Sequence, residues 1–525
     1  MEQGERPYYV LRTLDRFTEY GDREAIVGVG WDCRLTYAQC RSMVLDMAAT
    51  IRDAGIRPGT TVAVMLAHPP EGPLLQLALH LMGCRTAWVA AGTPYREVEE
   101  YLAQVEPEWF LYDTRTHGKK GREFAERLGL PVLCLGPDGL GPDLLSAPAA
   151  GVTPFDLDAA TGAPETIFQT SGTTGMPKPV HHRASLNEQM ATLADEWLAA
   201  GGPPLRHLTL SPLWFVAGQT SSLMNLVMGG VLYIMYRFEP GEFLATIEKY
   251  RANSTFISPL MFYELLDHPD VATTDCGSLE LLSVGGAAAS PARLREGVER
   301  FGPVIRITYG QSETPFISAF PNIAEDPARP NRIRSCGQPY GDVRVELRDD
   351  DGNPVPTGAV GEIWVASKLN FEGYWGRPDL TAEILVDGWV RTKDLAYADE
   401  EGYLHIVGRT QDMIITGIGC DHIFPRPIEE ALATHPEVRA AAVIGVPDPE
   451  LGEAAHAYVV RTDDATVTAD ELSELVRSRL TRLWAPRTIE FVEDLPRTGS
   501  GKANTKELKA KWAAEHVAVP AGAAG

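Results

Sequence analysis

The sequence predicts an α/β protein: a large N-terminal domain of parallel α/β sheets plus an antiparallel, β-barrel-like part, followed by a small mobile C-terminal α+β domain. Three observations lead there. A chain of 525 residues with 44% hydrophobic content is long enough to bury more than one core. Along its first half, apolar runs of strand length alternate with amphipathic runs of helix length. Beyond Gly337 that rhythm gives way to short alternating strands separated by Asp-Gly and Glu-Gly turns.

In chain order, "TVAVMLA" reads as a strand, "PLLQLALHLMG" as a helix ending at glycine, "RTAWVAA" as a strand, "YREVEEYLAQV" as a helix and "EWFLYD" as a strand. Such alternation means a mostly parallel sheet with helices on its faces. The pattern returns in "STFISPL", "LELLSVGG" and "IRITYGQ", each an apolar run closing on a small or polar cluster. Ligands of open parallel sheets sit beyond the carboxyl ends of the strands, so chemistry is expected at these ends. The stretch 208–236 carries no charge, yet Pro212, Gln219, Thr220, Ser221, Ser222, Asn225 and Gly229-Gly230 interrupt it with groups lipid could not satisfy. It reads as a buried helix followed by the core strand "VLYIMY".

The antiparallel part comprises "VRVELRD", "GEIWVAS" and "GWVRTKDLAYADEEGYLHIV". The boundary falls after Arg409, giving domains 1–409 and 410–525. The second contains the helix "PIEEALATH", the strands "RAAAVIGV" and "AAHAYVVRT", and a helix with Leu472, Leu475, Val476 and Leu480 on one face. A strand "RTIEFVE" and a helix after Gly501 complete it, and the tail "HVAVPAGAAG" reads as disordered.

Charge narrows the partners. With 47 Lys+Arg against 71 Asp+Glu the net charge is 47 − 71 = −24, which disfavours nucleic acid and anionic membranes. A small anionic ligand would need a local nest of donors. Seven cysteines without paired spacing argue against a disulfide framework or a zinc cluster and suit a reducing cytoplasm. The opening "MEQGERPYYV" lacks the basic-then-apolar order of a secretory signal.

The segment "TIFQTSGTTGMPKPVHHR" supplies such a nest. A strand runs into Thr170, Ser171, Gly172, Thr173, Thr174 and Gly175, which present backbone N–H groups and hydroxyls to one point, with Lys178 adding a positive charge. It is not the common nucleotide loop, because Met176-Pro177 separate the last glycine from the lysine. The later "GSGK" at 499–502 fails as well, since Pro496 stands at the first glycine position and Ala503 follows the lysine.

The loop instead resembles the phosphate-binding signature of the adenylate-forming superfamily, which includes acyl-CoA synthetases, peptide-synthetase adenylation domains and firefly-type luciferases. Four further segments resemble that family's signatures in its order: "ITYGQSETP", "GWVRTKDLAYADEEGYLHIVGRTQD", "FPRPIE" and "LPRTGSGK". The resemblance covers essentially residues 24–511.

It implies that a carboxylate attacks the α-phosphate of ATP to give an acyl-adenylate and pyrophosphate, and that a second nucleophile then takes the acyl group. Both reactants are anionic, so positioned positive charge must offset their repulsion. By resemblance, Thr170 to Gly175 and Lys178 wrap the leaving phosphates. Glu313 holds Mg²⁺, a hard cation that takes one or two carboxylates plus phosphate oxygens. Ser312 meets the α-phosphate. Adenine lies between Tyr309 and Gly285-Gly286-Ala287, in a site that Gly310 and Gln311 adjoin. Asp394 accepts from both ribose hydroxyls and Arg409 assists there. Lys502 swings in on the small domain to bridge carboxylate and α-phosphate, and Gln411 stands at the hinge where Asp or Lys is usual.

Three features depart from the family pattern. Phe215 replaces a frequent histidine, Lys393 in Thr392-Lys393-Asp394 replaces a usual glycine, and "IGCDHIFP", with Cys420 and His422, is about two residues longer than the usual form. The last of these lines the acceptor's entry, so the resemblance implies adenylation more firmly than it implies the acceptor. CoA is the favoured acceptor and a carrier-protein thiol the second. An amine, or activation of an oxyanion such as nitrite, is a third. A non-catalytic nucleotide-binding relative would be expected to have lost Lys502 or Glu313, and both remain. The acyl pocket is assigned to Trp214, Phe215, Val216, Gly218, Ala287, Ala288, Thr314, Pro315 and Phe316. Its apolar lining implies an aryl or medium acyl acid, and no Asp for a substrate ammonium is evident.

Overall fold

The computed structural model describes residues 8–516 except 91, 138–139, 149–151, 171–176, 322, 324–328, 330–331, 417–420 and 499–502, with the backbone alone at Gln411, Asp421 and His422. The predicted disordered tail, beyond His516, lies outside the described residues.

The helix Gly72–Leu81 organises the large part of the molecule. All ten of its residues are buried, and a helix apolar all round belongs between two layers. Its core cluster draws Ile26, Leu232 and Ile234 from one sheet and Val62, Val64, Trp88 and Leu111 from another. It ends, as its sequence implies, at Gly83, whose φ of +66° and Cβ space only 2.6 Å from Thr161 O admit no larger residue without strain.

The first sheet has nine strands in the order Gln338–Pro339, Ser318–Phe320, Ile305–Tyr309, Leu281–Gly285, Ser254–Ile257, Arg206–Thr209, Val231–Met235, Glu24–Val29 and Arg34–Thr36. Its central pairings are parallel. The second has seven: Gly373–Tyr374, Lys178–Arg183, Glu165–Thr170, Arg85–Ala90, Thr61–Leu66, Trp109–Asp113 and Val132–Leu135. Two edge pairings there are antiparallel and the remainder parallel.

The uncharged stretch resolves into the helix Val216–Val227 and the strand Val231–Met235, preceded by the end of the strand Arg206–Thr209. Three of its polar side chains bond to backbone inside the fold: Gln219 Nε2 donates to Leu213 O (2.6 Å), Thr220 Oγ1 to Val216 O (2.8 Å) and Asn225 Nδ2 to Leu205 O (3.1 Å). Among the described residues, no helix is long and apolar enough to cross a membrane.

The predicted antiparallel part is a five-stranded sheet of Arg344–Arg348, Gly361–Ala366, Trp389–Ala398, Leu385–Val386 and Leu404–Arg409. A fourth sheet, also five-stranded, joins Asp421–Ile423, Ile414–Thr416, Gly452–Arg461, Val438–Asp448 and Thr488–Val492. The helices Pro425–Leu432 and Ala469–Arg479 pack on it through Ile428, Leu432, Leu472 and Val476. Two elements differ from expectation. "STFISPL" is a strand only as far as Ile257, because Ser258-Pro259 is an N-cap and first-turn pair that starts the helix Pro259–Asp267. Leu480 falls just past the helix it was assigned to, as its C-cap, yet still packs against the same cluster.

Candidate functional site

Three sheets converge on one cleft. The strand Trp389–Ala398 carries Asp394 to the carboxyl end of Ile305–Tyr309, where Tyr309 OH donates to Asp394 Oδ2 (2.5 Å). Gln311 Nε2 donates to the same oxygen (2.6 Å) and to Thr392 O (2.9 Å). Arg409, opposite Asp394 in the antiparallel register, donates through Nε to Oδ1 (2.7 Å). Burial opposes the guanidinium charge, and the Asp394 carboxylate more than restores it, so Arg409 stays protonated. Burial, then Asp394, pushes the Tyr309 phenol well up, so it remains a donor. Gly285 pairs with Thr308 beside this corner, and a Cβ there would sit 2.5 Å from Thr308 Oγ1. Gly286, with φ +82°, and Ala287 and Ala288 are exposed. Gly310 is confined by Phe316 N, 2.7 Å from where a Cβ would lie.

The second corner joins the two parallel sheets. Glu313 O accepts from Phe371 N (2.8 Å), and two residues on, Gly373–Tyr374 pairs with Lys178–Arg183 at the edge of the seven-stranded sheet. Tyr374 OH donates to Glu313 Oε1 (2.7 Å), while Lys178 Nζ sits 5.3 Å from the centre of the same ring. One tyrosine thus bridges the predicted phosphate lysine and the predicted metal carboxylate. Thr170 is the register partner of Lys178, so the two flank segment 171–176. His182 Nε2 donates to Ser312 O (2.7 Å), and burial lowers its pKa to about 4, keeping it neutral.

The third corner is apolar. Trp214 and Phe316 both pack against the cluster around Gly72–Leu81, to which Val216 belongs. Phe215 caps the helix Val216–Val227, with its ring centroid 6.0 Å from that of Trp214. A Cβ on Gly218 would lie 2.4 Å from Ser211 O, so that helix can approach the preceding loop only with glycine. Thr314 and Pro315 are buried, and Phe316 has φ +56°, a left-handed turn after which Ile317 N donates to Tyr309 O (2.8 Å).

Of the predicted site residues, Ser171, Gly172, Thr173, Thr174, Gly175 and Lys502 lie outside the described residues, as does Cys420, and at Gln411 only the backbone is described. The strands Ile414–Thr416 and Asp421–Ile423 pair across the lengthened segment, with Thr416 opposite Asp421. Sequence reasoning missed Tyr374 and His182. The signal for Tyr374 was an aromatic pair framed by glycines, Gly373-Tyr374-Trp375-Gly376.

The donor set suits a hard divalent cation shared with phosphate. Among the described residues no cluster of three His, Cys, Asp or Glu forms a protein cage, and Glu313 keeps one oxygen, Oε2, without a recorded protein donor.

Residues 14–375 match the AMP-binding enzyme family and 427–502 its C-terminal domain. The chain belongs to that family, and is of its AMP-forming, ATP-using acid–thiol ligase type. It is 39% identical to a medium/long-chain-fatty-acid–CoA ligase of Mycobacterium tuberculosis over 70% of this chain and 65% of that one. It is 33% identical to a feruloyl-CoA synthase of an Amycolatopsis species over 91% and 94%. The amide bond synthetase McbA of Marinactinospora thermotolerans superposes with TM-score 0.84 at 33% identity, covering 96% of this chain and 99% of that one. MatB of Rhodopseudomonas palustris, 26% identical, superposes with TM-score 0.82 in its ATP-bound form (97% of this chain, 99% of that one) and 0.72 in its apo form (97% and 100%).

Proposed function

We propose that the enzyme activates an aryl or medium-chain carboxylic acid with ATP and passes the acyl group to the thiol of CoA. The observation that carries this reading is the convergence of Asp394, Tyr309, Gln311 and Arg409 with Glu313, Tyr374 and Lys178 at the carboxyl ends of two parallel sheets. Asp394 takes the ribose hydroxyls, Tyr309 and the Gly285-Gly286-Ala287 edge take adenine, and Ser312 meets the α-phosphate. Glu313 holds Mg²⁺, which when bound supplies positive charge to the phosphates. Lys178 and 170–175 hold the departing pyrophosphate. Lys502 bridges the attacking carboxylate and the α-phosphate, so that the acyl–O bond to phosphorus forms as the bond to pyrophosphate breaks. The division at Arg409 into 1–409 and 410–525, with Gln411 as hinge, lets the small domain carry that lysine in for adenylation and out for transfer.

The acid class is supported by the apolar corner of Trp214, Phe215 and Phe316 and by relatives named for ferulate, indoleacetate and medium-chain acids. The absence of a disulfide among the described residues is in keeping with a reducing cytoplasm. A second acceptor, an amine, is favoured by the likeness to McbA.

ATP–pyrophosphate exchange with ferulate, indoleacetate, benzoate and octanoate tests the first step. At least one acid should drive exchange, and Lys502→Ala should lower it by about 10² or more while nucleotide still binds, the scale of losing one electrostatic donor. Exchange by none of the four acids sinks the acid assignment, and full exchange by the variant sinks the role of Lys502. Thioester formation with CoA, compared with amide formation from an added amine, decides the acceptor.

A further inference from the structure

Among the described residues, three ion pairs join the C-terminal sheet and its helices to the large part of the chain: Arg334 with Glu430 (3.0 Å), Arg439 with Asp267 (3.0 Å) and Arg497 with Glu264. The third differs from the others in what it is attached to. Arg497 and Ala503 form an isolated antiparallel bridge, and Asn504 N donates to Pro496 O (2.7 Å), so the two flanks of segment 498–502 are tied together at its base. Lys502 is carried on that segment. Glu264 belongs to the helix Pro259–Asp267, which starts at the carboxyl end of the strand Ser254–Ile257 in the nine-stranded sheet. A carboxylate on a helix of the large part therefore pairs with the base of the segment that bears the lysine. The pair is partly shielded, with side-chain exposures of 32% for Arg497 and 20% for Glu264. Burial works against the Arg497 charge, and Glu264 restores it, so the guanidinium is held protonated. The whole chain also superposes better on ATP-bound than on apo MatB, 0.82 against 0.72.

We propose that Glu264 is a positioning residue for the adenylation step. Through Arg497 it holds the base of the lysine-bearing segment in the arrangement that meets the nucleotide, and this pair has to open before the small domain can turn for acyl transfer. The inference rests on the role of Lys502 argued above. Asp494, 3.4 Å from Arg497 Nη2, belongs to the small domain and travels with it, so of the two carboxylates on Arg497 only Glu264 distinguishes the two arrangements. An ion pair present in one arrangement and absent from the other shifts their populations by its own differential strength.

The test separates the two half-reactions in Glu264→Gln, Arg497→Gln and the charge-exchanged pair E264R/R497E. ATP–pyrophosphate exchange, driven by the best acid of the four above, should fall roughly fivefold in each single variant, the scale of one partly shielded ion pair. Transfer to CoA from the supplied adenylate of that same acid should be unchanged or faster, and the exchanged pair should recover exchange. Equal loss in both half-reactions, no loss, or no recovery overturns the proposal. An acid-independent arm uses amide hydrogen exchange with ATP and magnesium. Protection of residues 494–504 should drop in Glu264→Gln, and unaltered protection overturns the proposal even if no acid supports catalysis, an outcome that would count against the functional reading alone.

Discussion

The two carboxylates at the heart of the cleft are prepared to different degrees. Asp394, 4% exposed, already holds Tyr309, Gln311 and Arg409, whereas Glu313 receives a side-chain donor only from Tyr374 among the described contacts. A carboxylate offers about four lone-pair positions, so Asp394 has about one to spare and Glu313 about three. The partners of Asp394 come from strands and a tight turn. On the roles proposed above, the described fold nearly fills the lone pairs of Asp394 on the ribose side and leaves most of those of Glu313 open on the phosphate side. The physical reason is charge: a ribose brings two neutral hydroxyls, while a triphosphate with its metal would be repelled or trapped by a rigid, fully charged cradle. If Asp394 takes both ribose hydroxyls as proposed, one of its three donors must loosen on binding.

Acid should break this arrangement most broadly. Burial lowers the pKa of His68, His182 and His207 to about 4 and that of His80 to about 3. A histidine whose folded pKa lies below its unfolded value takes up its proton more readily in the unfolded chain. Stability is therefore intact above about pH 6.5 and is lost as pH falls from there toward 4, by on the order of 3 kcal/mol per histidine at the bottom of the window. Glu429, raised to about 7 by burial, acts the other way and stabilises as pH falls below 7, offsetting about one histidine. His182 supports Ser312 on the phosphate side, so exchange activity should fail before the Asp394 cluster does. Thermal unfolding from pH 7 to 4, with activity followed in parallel, checks both the sign and the order.

Asp394→Ala comes next. It removes an acceptor for three donors at a buried position, and should cost about 2–4 kcal/mol of stability together with measurable nucleotide affinity. Urea unfolding and nucleotide titration measure the two. Unchanged stability would mean that the ribose side is no more prebuilt than its neighbour.

The same contrast explains what could be read in the sequence. The strands and helices around Gly72–Leu81 were legible because burial on all sides leaves a continuous apolar run. Asp394, Arg409, Tyr309 and Gln311 were legible as a set because they sit in ordered motifs, and the structure does bring them together. Tyr374 was not. It lies on a two-residue strand with no periodicity, and its importance comes from pairing with an edge that the sequence leaves far away, at Val180 and His181. His182 was hidden for a related reason: a lone histidine in a strand carries no pattern, and its partner is a backbone carbonyl, which any residue supplies. The ion pair of Glu264 with Arg497 joins residues more than two hundred positions apart, and neither side chain stands out locally.

Tyr374→Phe sharpens the comparison at the phosphate side alone. It keeps the ring beneath Lys178 and deletes the donor to Glu313. Exchange should fall about tenfold, the worth of one hydrogen bond to a charged group, with a raised magnesium requirement and little change in unfolding. A loss of stability with unaltered magnesium dependence would assign Tyr374 to packing.

The smallest effect is expected at Lys393, on the ribose side. Its φ is +62°, a left-handed conformation that costs a residue with a Cβ about 1–2 kcal/mol. Its backbone N–H is used, donating to Glu362 Oε1 (3.1 Å), and this kink turns Asp394 toward Tyr309. Resemblance places glycine here in relatives, and the geometry supplies the reason. Lys393→Gly relieves the strain but adds about 0.5–1 kcal/mol of unfolded-state freedom, so the net gain in stability should be no more than about 1.5 kcal/mol. Nucleotide affinity should not move, because the hydrogen bonds that orient Asp394 come from Tyr309, Gln311 and Arg409 and survive the change. A clear loss of affinity in Lys393→Gly would show instead that the lysine side chain takes part at the nucleotide, and the ribose side would then depend on a mobile cation just as its neighbour does.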